Sequence, residues 1–108
     1  MSLLPLTLAC APYDRTLPLY DGRVLPEGID LNVLLLRYED TFWRMLRHQE
    51  FDVSEMSLSS YLISKEKGPD FVALPIFLSR VFRHSSIYIN TKSGINEAKD
   101  LKGKRIGV

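Results

Sequence analysis

The chain has 108 residues, 14 basic and 13 acidic, for a formal net charge of +1. A balance that even argues against a nucleic-acid or anionic-membrane binder, which would carry a basic excess. Hydrophobic content of 45% and charged content of 25% fit an ordinary globular protein, and the single cysteine, Cys10, excludes an internal disulfide framework and a cysteine-based zinc cluster.

Residues 3–10 read as a short apolar strand with Cys10 buried at its end. MSLLPLTLAC has no Lys or Arg before its apolar run and is broken by Pro5, so it reads as a strand rather than a targeting signal. APYDRT is a loop, and TLPLYDG a short helical piece or turn closed by Gly22. IDLNVLLL, 29–36, is a second strand rich in aliphatics. Asp40 reads as a helix N-cap, and Phe42, Met45, Leu46 and Gln49 at i, i+3, i+4 and i+7 give a mostly apolar stripe over a helix from about 40 to 49. FDVSEM supplies a third, short strand at 53–56. Leu58, Tyr61 and Leu62 mark a helix over 58–67, with Lys65 and Lys67 near its end and Gly68-Pro69 stopping it. FVALPIF (71–77), SSIYIN (85–90) and KRIGV read as further strands, with a short helical segment over 95–101.

Strand, helix, strand, helix, strand is the order of right-handed crossover units. It predicts an α/β fold: a mostly parallel sheet with helices on both faces. No run reaches the ~18 apolar residues of a membrane helix. KRIGV follows the connector SGINEAKDLKGK, which reads as leaving the first unit, so the sequence is expected to be an N-terminal piece of a longer protein.

In an open α/β sheet, ligands sit beyond the carboxyl ends of the strands. Three segments meet there. Glu55 to Ser59 opens a helix, where hydroxyls and free N–H groups suit a carboxylate or phosphate. Ser57 or Ser59 acting only as a helix cap is the competing reading. Glu55 is harder to explain as a cap, because an acid in an apolar context needs a partner. SRVFRH places Arg80, Arg83 and His84 within five residues. In an extended stretch Arg80 and His84 share a face and Arg83 takes the other. An arginine fork grips a carboxylate, and His84 can donate, accept or bind metal. The alternative is a solvated basic loop with one arginine paired to Glu55 or Asp14. Tyr13, Asp14 and Arg15 form the third segment and are ordinary turn residues taken singly. His48, at a helix end, reads as a surface or dipole-complementing residue. No P-loop, G-x-G-x-x-G, H-E-x-x-H or nucleophile elbow is present.

LTLACAPYDRTLPLYDGRVLPEGIDL, FDVSEMSLSSYL, LPIFLSRVFRHSSIYIN and DLKGKRIGV together resemble the 4,5-dihydroxyphthalate decarboxylase family. D-V-S-E-M-S and S-R-x-F-R-H carry most of that resemblance, while DLKGKRIGV is common to many binding proteins. The resemblance implies a type II periplasmic-binding-protein-like fold of two lobes with a ligand cleft between them: a first lobe over 1–90, then a connector and the first strand of a truncated second lobe over 91–108. It implies a decarboxylase of an aromatic dicarboxylate such as 4,5-dihydroxyphthalate. Glu55 and His84 are then the expected catalytic groups, and Tyr13, Ser57, Ser59, Arg80 and Arg83 the expected substrate-binding ones. No organic cofactor is required; a divalent metal bridging catechol oxygens is compatible, and no metal ligand is assigned. The competing function is a non-catalytic substrate-binding protein of an ABC-type transporter for a small anion. The expected partner is a small aromatic carboxylate, without nucleic acid or membrane insertion, with homo-oligomerisation open. The expected compartment is the cytoplasm, or the periplasm if an export signal was removed.

Overall fold

A computed structural model describes residues 2–107, with the side chains of Arg83 and His84 outside the description. Its centre is a three-stranded parallel sheet in the order β2-β1-β3, formed by β1 (Leu4–Cys10), β2 (Ile29–Leu35) and β3 (Val53–Ser54). β1 is the natural middle strand. Its sequence is apolar on both faces, and it ends in Ala9 and Cys10, both 0% exposed. β1 runs in register with β2 from Leu4 opposite Ile29 to Cys10 opposite Leu35, and with β3 through Leu8–Val53 and Ala9–Ser54. Gly28, at φ +75°, makes the turn into β2, and its carbonyl accepts the Leu4 N–H at 2.9 Å. β3 carries its pairing one step further, where the Glu55 N–H donates to the Ala9 carbonyl at 2.9 Å.

α1 (Leu17–Tyr20) and α2 (Tyr38–His48) lie in the two crossovers, and α3 (Leu58–Lys67) follows β3. α2 starts two residues earlier than its sequence suggests. Its N-cap is Arg37 rather than Asp40, and Asp40 instead lies in the first turn with Glu39, where negative charge suits the helix dipole. The stripe on α2 is only partly apolar. Thr41 and Met45 are buried, and the Thr41 hydroxyl is satisfied by the Arg37 carbonyl at 3.0 Å. Gln49, expected on that stripe, closes the helix in the left-handed conformation at φ 49°. α3 spans 58–67 as the sequence indicates.

Ala9, Met45 and Phe51 form the buried cluster, with Leu34, Leu36, Met56 and Phe71 packed around it. Arg44 lies 4.9 Å from the Phe51 ring centroid while its guanidinium pairs with Glu50, so an ion pair roofs the core.

Beyond α3 the strands expected at 71–77, 85–90 and 104 onward do not form among the described residues. The chain there is irregular, with 3₁₀ turns at Arg83–Ser86 and Ala98–Leu101. A strand needs a neighbour to take its N–H and C=O groups, and these segments have none. Apart from Phe71, which packs on the core, their apolar side chains stand in solvent, Val72 and Tyr88 almost completely. The radius of gyration is 18.6 Å, against about 13 Å for a closed domain of this length. The accessible surface is 9226 Å², where a folded chain of this mass would expose about 6,100 Å². Among the described residues no helix is long and apolar enough to cross a membrane.

Candidate functional site

The carboxyl ends of β1 and β3 are adjacent in the sheet, so the loop after Cys10 and the residue after Ser54 meet. Tyr13 arrives on that loop, and Glu55 at the end of β3. The Tyr13 hydroxyl donates to Glu55 Oε1 at 2.6 Å, and the Ala11 N–H donates to Glu55 Oε2 at 3.1 Å. Both carboxylate oxygens are therefore engaged by donors, one of them the main chain. The acid that the sequence left in need of a partner has two. Burial pushes the Tyr13 phenol up to about 12, reinforced by the hydrogen bond and the charge of Glu55; a hydrogen bond from Ser79 opposes the rise. At neutral pH Tyr13 is thus a neutral hydrogen-bond donor.

Around this pair the loop is tightly tied. The Thr16 hydroxyl bonds to the Tyr13 carbonyl at 3.1 Å, and the amides of Thr16 and Leu17 both reach that carbonyl at 3.0 Å. Cys10, directly beneath, is fully buried, and burial raises its thiol above the ordinary range. It is a packing residue held protonated rather than a nucleophile. Arg15 pairs with Asp14 at 2.9 Å, lies 5.4 Å from the Tyr13 ring centroid, and donates to the Leu78 carbonyl at 2.6 Å.

The expected site residues divide into four groups. Tyr13 and Glu55 come together in direct contact. Ser57 and Ser59 share a hydrogen bond at 2.8 Å, two residues from Glu55 along the chain. Ser57 does hold the N-cap position of α3, but its side chain makes no capping bond; its hydroxyl is turned to Ser59, so the first-turn amides of α3 have no side-chain acceptor there. Arg80 is exposed and, among the described residues, makes no hydrogen bond or ion pair. Neither Asp14 nor Glu55 pairs with Arg80, and the same pairing through Arg83 lies outside the described residues. The roles expected of the Arg83 and His84 side chains lie outside the described residues. Their backbone belongs to a 3₁₀ turn at Arg83–Ser86, so the shared face inferred for Arg80 and His84 in an extended stretch does not apply.

Two groups at the site were not singled out from sequence: Ser79, beside Tyr13, and the Ala11 amide, on Glu55. Ser79 opens the SRVFRH stretch, but only the arginines and histidine of that stretch were given roles, and a backbone amide gives no signal along the chain. Among the described residues no three His, Cys, Asp or Glu side chains are grouped to hold a metal ion.

No family model matches the chain. Over 109 aligned positions, its whole length, it is 47% identical to 4,5-dihydroxyphthalate decarboxylase of Comamonas testosteroni and to that of Pseudomonas putida. The chain is similar to the 4,5-dihydroxyphthalate decarboxylases from end to end. It spans 33% of the Comamonas protein and 42% of the Pseudomonas protein. The likeness to these decarboxylases takes in all three segments at the carboxyl edge of the sheet: the Tyr13 loop, the turn after Glu55 and the stretch around Arg80.

Proposed function

We propose that this chain is the first-lobe part of a decarboxylase acting on an aromatic dicarboxylate such as 4,5-dihydroxyphthalate. The observation that carries the reading is 47% identity along the whole chain to two proteins of that name. In this reading residues 1–90 form one wall of a two-lobed, binding-protein-like cleft, and residues 91–108 are the connector and the start of the second lobe. The apolar surface left open by residues 71–90 suits a chain whose remaining wall lies elsewhere in a longer protein.

The chemistry asks for three things of this wall. The first is a cation for a ring carboxylate. Arg80, exposed and unpaired among the described residues, can present its planar fork to one, with Arg83 as a second cation and the Ser57 and Ser59 hydroxyls as neutral donors. The second is a base for the ring hydroxyl para to the departing carboxylate. Glu55, which accepts hydrogen bonds at both oxygens, takes that proton through Tyr13: the substrate hydroxyl gives its proton to Tyr13 as Tyr13 gives its own to Glu55. The third is a proton for the ring carbon, supplied by His84. The resulting phenolate pushes electron density to the carbon bearing the carboxylate, and that carbon takes the proton. The carbon–carbon bond then breaks, carbon dioxide leaves, and its bonding pair restores the aromatic ring. A phenolate remains and recovers its proton from Glu55. The net change is one proton consumed for each carboxylate lost.

The test is calorimetry of the full-length protein with 4,5-dihydroxyphthalate, followed by an assay for released carbon dioxide. Binding with release supports the enzyme. Binding without release moves the reading to a transporter's substrate-binding protein. Neither binding nor release of any aromatic acid removes both.

A further inference from the structure

We propose that Arg15 is a positioning residue that clips the irregular segment after α3 onto the Tyr13 loop, holding Ser79 and Arg80 at the edge of the site. Three contacts of one guanidinium support this. Nη2 donates to the Leu78 carbonyl at 2.6 Å across 63 positions of sequence. Nη1 is anchored on Asp14 at 2.9 Å. The guanidinium carbon stands 5.4 Å from the Tyr13 ring centroid. Each uses a different feature of arginine: two separate N–H edges and a flat cationic face.

The clip matters because little else holds that segment. Residues 72–81 form no helix or strand. Among the described residues the hydrogen bond that ties them to the rest of the fold is that of Arg15 to the Leu78 carbonyl. Ser79 is the next residue, so Arg15 sets where Ser79 stands relative to Tyr13. Replacing Arg15 by lysine would keep one donor and lose the fork and the flat face.

The inference rests on reading the Tyr13–Glu55 pair as the site, but not on the reaction, and its test uses no turnover. The full-length protein is labelled at tyrosine with carbon-13, and Tyr13 is assigned through Tyr13→Phe. The wild type should show ring-to-Ser79 nuclear Overhauser contacts. In Arg15→Ala these contacts should vanish, and trypsin cleavage after Arg80 should quicken by about tenfold as the open population grows. Arg15→Lys should fall between the two. Unchanged contacts and cleavage would overturn the proposal. Circular dichroism of both variants establishes that each is folded, and Arg15→Lys carries the comparison if Arg15→Ala is not. Loss of carbon dioxide release bears on the proposed reaction; loss of the Tyr13–Ser79 contact bears on the clip.

Discussion

The Tyr13 hydroxyl reaches Glu55 Oε1 over 2.6 Å although the two residues stand 42 positions apart. Parallel pairing of β1 with β3 makes this possible, because it brings the carboxyl ends of both strands to one edge. The pair is half-buried, and its hydrogen bond joins a phenol to an acid whose other oxygen is held by the main chain.

Glu55→Gln keeps the shape of the side chain and removes the base. In the full-length protein, carbon dioxide release from 4,5-dihydroxyphthalate should fall by about 10²–10⁴-fold, the range for losing a positioned acid or base, while calorimetric affinity for the substrate stays within a few-fold. An undiminished rate would exclude Glu55 from the proton path.

Tyr13→Phe leaves Glu55 Oε1 without its phenol partner and should destabilise the fold by about 1–3 kcal/mol in urea unfolding. It should also change the pH dependence. The Tyr13 phenol titrates near 12 in the fold against an ordinary 10. The folded state therefore holds its proton more tightly, and the stability linked to it is fully present below pH 10 and is lost as pH rises toward 12. The slope there is at most about 1.4 kcal/mol per pH unit for one proton. The phenylalanine variant should lack this component, and a stability profile that declines identically in both would contradict the assignment.

Arg80→Ala should weaken binding of an aromatic dicarboxylate to the full-length protein by about 1.5–3 kcal/mol, the range for a hydrogen bond to a charged group. Stability should hardly change, because the exposed side chain has no partner among the described residues. Calorimetry and thermal unfolding of the same sample separate the two effects.

The 108-residue chain made alone should self-associate and release no carbon dioxide. Ile76, Phe77, Ile87 and Tyr88 are all well over half exposed, and unpaired apolar segments of this kind invite association. Light scattering across a dilution series checks this; a monomer at high concentration would show that residues 71–90 need no cover.

Gln49→Gly should stabilise the fold by about 1 kcal/mol, because a residue with a β-carbon is strained in the left-handed conformation that glycine adopts freely. Gln49 sits there at φ 49°, is exposed, and makes its closing bond through its backbone N–H to the Met45 carbonyl. Denaturant midpoints of the two proteins provide the measurement.

Much of the crossover unit was legible residue by residue. β1, β2 and α3 follow from hydrophobic pattern and stop signals, which are local: an apolar run, Gly28 before Ile29, Gly68-Pro69 after Lys67. α2 was legible except at its ends, since Asp40 is as good a first-turn acid as it is a cap, and the difference lies in backbone angles. FVALPIF and SSIYIN have the composition of strands yet form none, because pattern reports what a segment could bury and not whether a neighbour is present to pair with it. For the site, sequence alone determined that Tyr13, Glu55 and Arg80 follow the first, third and expected fourth strands, and that Glu55 needed a partner. Only the tertiary structure decided which partner, because strand order places β3 against β1 and so sets Tyr13 and the Ala11 amide on the carboxylate. It also drew Arg15 to the site's edge, through the Leu78 carbonyl, which carries no signal along the chain. A hydrogen bond across 42 or 63 positions depends on where the backbone returns, and that is fixed by packing around Ala9, Met45 and Phe51 rather than by any residue's own propensity.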